Sequence, residues 1–503
     1  MGAQEAVSPR WMAGVNQGVV EHTVFDPERW GLPAEAISDL AQRLRRTWER
    51  FRPCFCTKTR DPGEHAWTYL RGLLTMKNKR NFANIARRVV GLDDDGQNLQ
   101  HFVSDSPWEA QTVFDQIQSE ISQRAELHNG MLTLDESGDR RAGPFSAGAG
   151  RQYIGRLGTT DMGQVGVALG YAKDGMWAMV DAELYLPQHW FDTDHAKLRE
   201  RWHVPSTRIF ASKPDLGLIM IKHAKQNGLP FTVVGCDSLY GQDFDFRGQV
   251  DAEHLTYMAD ILSKMYVYLH QPTIGLPERL AGKGGRPAKQ RCVISSEAPI
   301  QVRDLVGHPE FKLRPVQVRH TERGLLSYEC AARRVWLVKG EQMREEWLFI
   351  RHETDGSYTF SLSNAPVDTP LEQLAYWRSQ RYFAERTFQD AKSEGGWDEL
   401  VARKYRAWMH HTALDALALW FVAETKLDWA REHPRDPGLS QELGVDVLPA
   451  LSMANVRELL CATMPLKQLS QEEATRLVTM HLVGRSRATA SRIRSQRHNQ
   501  ASP

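Results

Sequence analysis

Between residues 130 and 262 the chain alternates short apolar runs with one amphipathic stretch, and this order constrains the fold more than any other feature. Three apolar runs come first, and a helical stretch over 214–227 and a fourth apolar run follow them. The runs are Met131–Leu134, Val165–Tyr171, Trp177–Tyr185 and Phe231–Gly235. Apolar runs of this length, bounded by turn-forming residues, are typical of strands. Three strands, a helix and a fourth strand predict a mixed α/β sheet flanked by helices.

The composition allows several such units in one chain. Hydrophobic residues make up 41% and charged residues 25% of the 503 residues, which is ordinary for soluble globular proteins and enough for about three domains. A peptide toxin or a single small binding module is therefore excluded. The patterns along the chain predict a helical N-terminal domain (1–125), the first part of the sheet core (126–270), a basic linker with a β-rich insertion domain (271–368), the second part of the core (369–431), and a helical C-terminal region ending in a disordered basic tail (432–503).

Charge and cysteine content exclude further classes of protein. Lys and Arg number 63 against 62 Asp and Glu, so a polyanion would have to meet local basic clusters rather than the whole surface. The six cysteines form neither a disulfide framework nor a repeated zinc-binding pattern, which indicates a reducing compartment. No signal peptide is recognisable, and the longest strongly apolar run, 416–423, is far shorter than the ~20 residues of a membrane helix. We therefore expect a cytoplasmic protein without a membrane partner.

Two basic stretches are candidates for nucleic-acid contact. The first, over 67–90, has two short helical patterns and the basic residues Lys77, Lys79, Arg80, Arg87 and Arg88. It is either a helix-turn-helix that places the N-terminal domain on DNA or a solvated helical face. The second, Gly282–Arg291, is predicted to be an exposed linker, and its Gly-Arg-Pro core also suits a minor groove. Its candidate DNA contacts are Lys283, Arg286, Lys289 and Arg291.

Two aspartates close predicted strands. Asp135 follows the run Met131–Leu134, and Asp237 follows the strand that begins at Phe231. Carboxylates at strand ends reach the rim of a sheet, where hard cations such as Mg²⁺ bind oxygen ligands. Taken singly, each aspartate is better explained as a turn former or a helix cap. Glu136 is expected to point to the opposite side of its strand and to stay out of the site.

A third acid lies on the predicted helix 376–392. Arg381 precedes Glu385 by four residues and Lys392 follows it by seven, so the three side chains share one helical face. A site that binds both a metal ion and a phosphate needs such a face. An exposed, ion-paired helix explains the same spacing without any site.

These residues together resemble bacterial insertion-sequence transposases of the DDE type, in the cut-and-paste branch whose third acid lies in a Y-x2-R-x3-E-x6-K motif. Arg381, Glu385 and Lys392 match R, E and K, whereas Arg378 stands at the tyrosine position. The similarity covers residues 60–425 and includes Gly150–Tyr153, Gly163–Val167, Glu183–Pro187 and Trp190–Phe191. It implies a ribonuclease H-like core, interrupted between the second and third acids by a β-rich insertion.

The resemblance implies DNA cleavage and joining by two-metal-ion phosphoryl transfer. Two Mg²⁺ ions, for which Mn²⁺ would substitute, would be held by Asp135, Asp237 and Glu385, with Asp135 shared by both ions. Arg381 and Lys392 would hold phosphate oxygens near the cut. The implied partners are the terminal inverted repeats and target DNA, bound by a homodimer that associates with the nucleoid through DNA. Two alternatives stay open: a domesticated DNA-binding protein that does not cut, and a ribonuclease H-like nuclease that cuts without joining.

Two tryptophans of the predicted insertion, Trp336 and Trp347, have two explanations. Related enzymes use an aromatic residue there to stack on a base flipped from the transposon end. Packing within the strands is the better explanation for both.

Overall fold

A ten-stranded mixed sheet runs through the protein, and helices pack on it. The computed structural model describes residues 32–277, 289–321, 324–433, 438, 452–464, 466 and 470–501. The strands are β1 (Gly130–Arg140), β2 (Gly150–Ile154), β3 (Thr159–Lys173), β4 (Met176–Leu184), β5 (Phe231–Cys236), β6 (Thr256–Ile261), β7 (Tyr266–Val267), β8 (Ile274–Gly275), β9 (Cys292–Val293), β10 (Ile300–Gln301), β11 (Arg314–Thr321), β12 (Gly324–Lys339), β13 (Gln342–His352) and β14 (Tyr358–Ser363). Strands β7 and β10 pair with each other, as do β8 and β9, and the other ten form the large sheet.

Helices occupy both ends of the chain and the connections between strands. They are α1 (Ala34–Ser38), α2 (Leu40–Phe51), α3 (Gly63–Thr75), α4 (Phe82–Ile85), α5 (Gln97–Ser104), α6 (Ala110–Ser122), α7 (Ala196–Arg201), α8 (Lys213–Gln226), α9 (Ser238–Gly241), α10 (Phe244–Ala252), α11 (Leu371–Gln380), α12 (Tyr382–Asp390), α13 (Tyr405–Glu432), α14 (Met453–Thr463) and α15 (Gln471–Ala501). A π-helical turn, Ala391–Gly395, directly follows α12.

The order of strands around β1 determines which residues meet at the rim of the sheet. Strand β1 lies between β3, with which it pairs antiparallel, and β5, with which it pairs parallel. Strand β4 pairs antiparallel with β3, and β6 pairs parallel with β5. Three antiparallel strands continued by two parallel ones, with helices on the faces, confirm the predicted mixed α/β class and are consistent with a ribonuclease H-like core.

The predicted strands are present, but the first is longer than expected. Strand β1 continues through Asp135 as far as Arg140 because it pairs with the long strand β3 down to Gly163. Its parallel partner β5 is shorter, and the last pair between them is Leu134 with Cys236. The prediction that Asp135 closes its strand is therefore wrong. Asp135 lies within β1, directly beyond the point where the neighbouring strand stops.

Helix α8 covers the face of the sheet beside β1. Its N-terminus is closed by a capping box between Ser212 and Asp215, and Pro214 lies in its first turn. At Gly217 the helix approaches the sheet so closely that a Cβ atom would lie 2.4 Å from the Leu134 side chain. The start of α8 is thereby placed beside the residues that follow Leu134.

The β-rich segment after the linker continues the same sheet. Strands β11 to β14 pair antiparallel in sequence order, and β14 pairs with β6 through Phe360 and Ile261 and their neighbours. Strands thus lie where the meander is predicted. The hydrogen bonds between β14 and β6 join these strands to the core sheet. That they form a separate insertion domain stays a prediction.

The N-terminal helices and α13 share one hydrophobic core. The Tyr69 hydroxyl on α3 lies 2.9 Å from Nδ1 of His411 on α13. Arg50 on α2 pairs at 2.8 Å with Glu120 on α6 and at 2.8 Å with Glu424 on α13. The described part of the N-terminal region contains the helices α1 to α6.

The C-terminal region differs from the prediction. Helix α15 spans Gln471–Ala501, so the described residues of the expected disordered tail are helical. None of the helices in the described ranges is long and apolar enough to cross a membrane.

Candidate active site

Strands β1 and β5 bring the first two predicted acids together. The last parallel pair joins Leu134 on β1 to Cys236 on β5. Asp135 directly follows Leu134, and Asp237 directly follows Cys236. Oxygen atoms of Asp135, Asp237 and Glu136 all lie within 4.8 Å of one another. Asp237 caps α9 by accepting the amide hydrogen of Leu239 at 3.0 Å, which fixes its carboxylate at this edge. The predicted meeting of Asp135 with Asp237 is thus seen in the structure.

Glu136 belongs to this group, although it was expected to point away. Its side chain does start from the face that carries Leu134, where Lys213 of α8 binds its Oε1 at 2.9 Å. The carboxylate nevertheless reaches the other two acids. Alternation along a strand determines only the direction of the Cα–Cβ bond. In a glutamate, two further carbon–carbon bonds separate Cβ from the carboxyl carbon, so the carboxylate can lie away from the direction of Cβ. We call Asp135, Glu136 and Asp237 the acidic cluster.

Ionisation of Asp135 and Asp237 is unfavourable in their buried positions. The pKa of Asp135 is raised to about 7, chiefly by burial and also by the charge of Asp237, although the opposing charge of Arg381 lowers it in part. Burial also raises the pKa of Asp237, and the charge of Glu136 adds to it. A bound cation would favour the ionised forms, because an opposite charge within a few ångströms lowers a carboxyl pKa.

Arg381 connects the acidic cluster with Asp260 on β6. Its Nη2 atom lies 3.7 Å from Asp135, and its Nη1 atom contacts Asp260. Asp260 is paired a second time, at 2.7 Å, with Arg378, the residue at the tyrosine position of the motif. Both arginines are largely buried, with side chains 17% and 10% exposed. Arg381 therefore has two carboxylate partners within the protein, and its prediction as a phosphate contact stays a prediction.

The third predicted acid, Glu385, lies on α12 but outside the acidic cluster. It is exposed, one helical turn after Arg381, and within the described residues it has no ion pair. Helix α12 packs on β1 and β3, where the hydroxyls of Thr387 and Thr133 both approach Gly170. The helix thus crosses the strand that carries Asp135, while the Glu385 carboxylate is not gathered with the other acids.

The other predicted DNA contacts lie in different places. Lys392 is in the π-helical turn after α12, 3.5 Å from Asp139 and over the ring of Trp397. Lys289 and Arg291 are exposed, and Arg291 donates to the Ile274 carbonyl at 3.0 Å. Lys283 and Arg286 lie outside the described residues.

Trp336 and Trp347 are both half-buried in the strand meander. The indole of Trp347 donates to the Pro366 carbonyl at 3.0 Å, and the Arg334 guanidinium lies over its ring. The indole of Trp347 is thus held within the meander, as the packing explanation expects.

A basic groove lies at the junction of α3 and α4, where a helix-turn-helix was considered. Four basic side chains line a cavity of about 550 Å³ without any acid in its lining. They are Lys77, Lys79, Arg87 and Arg88. No carboxylate within the described ranges pairs with them. Helix α3 itself is packed into the core through Tyr69 and Leu70, so it is not free to enter a DNA groove.

The fifth basic residue of this stretch, Arg80, has a different role. Its side chain is 1% exposed, pairs with Glu399 at 2.9 Å and donates to the Met76 carbonyl. The sequence alone does not distinguish Arg80 from its basic neighbours, because its partner Glu399 is 319 residues away along the chain.

Comparison with known proteins gives two findings. Residues 50–325, more than half of the chain, match a family described as DDE superfamily endonuclease. The matched range contains the acidic cluster and ends before Glu385. The chain is also similar to a protein of Microchaete diplosiphon named probable transposase for insertion sequence element IS701, with 32% identity over 204 residues. This similarity covers 40% of the chain and about half the length of that relative.

Proposed function

The chain belongs to the DDE superfamily of endonucleases, and we propose that it is the transposase of an insertion sequence. In this proposal it binds the terminal inverted repeats of its element, cleaves the DNA at the ends and joins the freed 3′-hydroxyls to target DNA. The observation that carries the proposal is the meeting of Asp135 and Asp237 at the rim of a ribonuclease H-like sheet.

The donor set at this rim fits divalent cations. It consists of carboxylate oxygens only, which are the ligands that Mg²⁺ and Mn²⁺ prefer. Burial and neighbouring carboxylates raise the pKa values of Asp135 and Asp237, and a bound cation would lower both. Two bound Mg²⁺ ions would activate the attacking oxygen and stabilise the leaving oxygen. In this proposal Asp135 is shared by both ions, and Asp237 and Glu385 each hold one.

Glu385 completes the site in the proposal by a change of side-chain rotamer or a small shift of α12. Its carboxylate has no ion pair to break within the described part of the chain, and Arg381, one turn earlier, already contacts Asp135. An exposed glutamate on such a helix can turn toward the sheet at little cost. DNA bound across the rim would favour this movement by bringing the second cation with its phosphate.

The basic groove supplies a path for the DNA backbone. Phosphate contacts dominate the affinity of proteins for DNA, and they require cations that are not already neutralised. Lys79 and Asn78 line both the groove and an adjacent cavity of about 590 Å³, whose wall includes Arg141, directly after β1, and the acids Asp398 and Glu399. In this proposal the DNA backbone leads from the groove past Arg141 toward the acidic strand. Lys392 extends it toward the cut in this proposal, as do Lys289 and Arg291 on the linker.

The assembled enzyme is proposed to be a homodimer on DNA, because an element has two ends and each end needs an active site. In this proposal the protein is cytoplasmic and associates with the nucleoid through its DNA.

A strand-transfer assay tests the proposal. Pre-cut end DNA and a supercoiled plasmid are incubated with the protein and Mg²⁺, and joined, nicked and intact products are separated on a gel. Joined products support a transposase. Nicked products that are never joined support a nuclease, and DNA binding without any cleavage supports a non-cutting DNA-binding protein. The variants Asp135→Asn, Asp237→Asn and Glu385→Gln should each lose cleavage but keep DNA binding, whereas Asp304→Asn at an exposed site is the matched control.

A further inference from the structure

Glu136 has one oxygen that is paired and one that is not. Its Oε1 accepts the Lys213 ammonium at 2.9 Å, whereas its Oε2 is buried and has no hydrogen-bond partner among the described residues. Buried polar atoms are nearly always hydrogen-bonded or bound to a ligand. A carboxylate oxygen of Glu136 belongs to the same 4.8 Å group as oxygens of Asp135 and Asp237.

A second buried polar atom without a partner faces the same place. The Tyr240 side chain is fully buried, and its hydroxyl makes no hydrogen bond within the described part of the chain. Glu136 acts on this hydroxyl both through its charge and as a hydrogen-bond acceptor in an unfavourable geometry, and Asp135 and Asp237 act on it through their charges. Four polar groups thus converge on a small volume without enough partners. A hydrated cation would satisfy all of them, since the carboxylates would coordinate it and a water in its shell would hydrogen-bond the phenol.

From this arrangement we propose that Glu136 is a ligand of a divalent cation shared with Asp135 and Asp237, and that Tyr240 hydrogen-bonds a water of that ion. The inference rests on the proposed function for the identity of the site, and it adds a residue that the three-acid scheme leaves out. Lys213 is a positioning residue in it. Fixed in the first turn of α8 by the Ser212 capping box, Lys213 holds one Glu136 oxygen and leaves the other toward the cation.

The proposal separates two steps of metal binding. Asp135, Glu136 and Asp237 are already gathered in the protein without DNA, whereas Glu385 is not. One cation should therefore bind the free protein through the three gathered acids. The Glu385 carboxylate should matter only when DNA is present.

The test is Mn²⁺ binding to the full chain without DNA, measured by calorimetry and by electron paramagnetic resonance of free Mn²⁺. Glu136→Gln should weaken Mn²⁺ binding about tenfold or more. Loss of a residue that only orients a metal ligand typically lowers metal affinity at least about tenfold, and loss of a ligand itself should cost no less. Glu136→Asp, which keeps the charge but shortens the reach, should give a smaller loss. Glu385→Gln and the exposed control Glu341→Gln should bind like the unmodified protein. Circular dichroism and the melting temperature establish that each variant is folded.

The outcomes are distinguishable from those of the proposed function. Unchanged Mn²⁺ affinity in Glu136→Gln, with affinity lost in Asp135→Asn, overturns the inference. A Glu385→Gln variant that loses Mn²⁺ without DNA, while Glu136→Gln keeps it, overturns it as well. If Mn²⁺ binding depends on Glu136 but no DNA is ever cut or joined, the metal site stands and the transposase proposal fails.

Discussion

Arg381 links the helix of the third predicted acid to two strands of the sheet, since its Nη2 atom lies 3.7 Å from Asp135 on β1 and its Nη1 atom contacts Asp260 on β6. A phosphate-binding arginine would have its guanidinium free in the absence of DNA. The geometry therefore suits an arginine that neutralises two buried carboxylates and holds α12 on the sheet.

Replacing Arg381 should destabilise the protein. Arg381→Met leaves Asp135 and Asp260 buried with one fewer opposing charge, and breaking such a pair typically costs about 3 kcal/mol or more. Urea unfolding measures the loss. Arg381→Lys should recover part of it, because one ammonium can face only one of the carboxylates well.

The control for this experiment is Arg303→Met. The Arg303 side chain is 53% exposed, and its one ion pair among the described residues is with its neighbour Asp304. This change should alter stability by less than about 0.5 kcal/mol. An Arg381→Met protein of unchanged stability that has lost DNA affinity would instead support the phosphate contact predicted from the sequence.

Asp135→Asn should make the metal-free protein more stable while removing its response to Mg²⁺. The substitution eliminates a buried charge beside Asp237, which is unfavourable until a cation binds. The unmodified protein should gain about 2.7 kcal/mol when Mg²⁺ is present at one hundred times its Kd. Melting temperatures with and without Mg²⁺ measure both effects, and an equal Mg²⁺ response in the two proteins would exclude Asp135 from the metal site.

Neutralising the basic groove should weaken DNA binding in a salt-dependent manner. Lys79→Ala and Arg88→Ala each remove an exposed cation without a carboxylate partner in the described ranges. Each lost phosphate contact should reduce the slope of log affinity against log salt concentration by about 0.9. Fluorescence anisotropy of labelled duplex DNA at several salt concentrations measures the slope.

Lys225→Ala is the matched control for the groove variants. Lys225 lies near the end of α8, roughly 18 Å along the helix axis from Lys213 at the rim, and it pairs with Glu253. The Lys225→Ala protein should show the same slope of log affinity against log salt concentration as the unmodified protein. Groove variants that bind DNA with an unchanged slope would remove the groove from the DNA path.

Asp415→Asn should stabilise the protein increasingly as the pH rises. Asp415 is fully buried on α13, and neither of its oxygens has a hydrogen-bond partner among the described residues. Burial raises its pKa well above the ordinary 3.8, and the charge of Arg80 opposes this only partly. The folded state then keeps a proton that the unfolded chain releases, so stability is lost as the pH rises from the ordinary pKa toward the raised one.

This loss amounts to at most about 1.4 kcal/mol per pH unit for one proton. The Asp415→Asn protein does not lose this stability. Its free energy of unfolding, relative to that of the unmodified protein, should therefore grow with pH from about 4 upward. Urea unfolding at a series of pH values measures the difference. An advantage that is constant with pH would mean that Asp415 ionises normally in the folded protein.

The strands of the core and the meeting of Asp135 with Asp237 could be predicted from the sequence because both depend on local patterns. Apolar runs indicate the strands, and parallel neighbours place residues after Leu134 and Cys236 at the same edge. The length of β1 could not be predicted, since Asp135 and the polar residues after it are kept in the strand by pairing with β3. Tertiary pairing here outweighs local turn preference.

Other misses have the same physical origin. The exclusion of Glu136 from the site is wrong because strand alternation gives the direction of a Cβ atom and says little about where the end of a long side chain lies. Arg80 looks like its exposed neighbour Lys79, and only the distant partner Glu399 distinguishes them. The basic C-terminal stretch was expected to be disordered because it lacks acids, but Arg, Ala and Gln all favour helix, and α15 is helical through it.

The shared core of α13 and the N-terminal helices has a consequence for synthesis of the chain. Arg50 emerges from the ribosome 374 residues before Glu424, the partner that completes its ion-pair network with Glu120. A nascent chain that stops after Glu385 but before α13 would carry every predicted acid and still lack the helix that closes its core. Such a product would expose apolar surface to proteases and chaperones, so only a chain translated through α13 can become a long-lived enzyme.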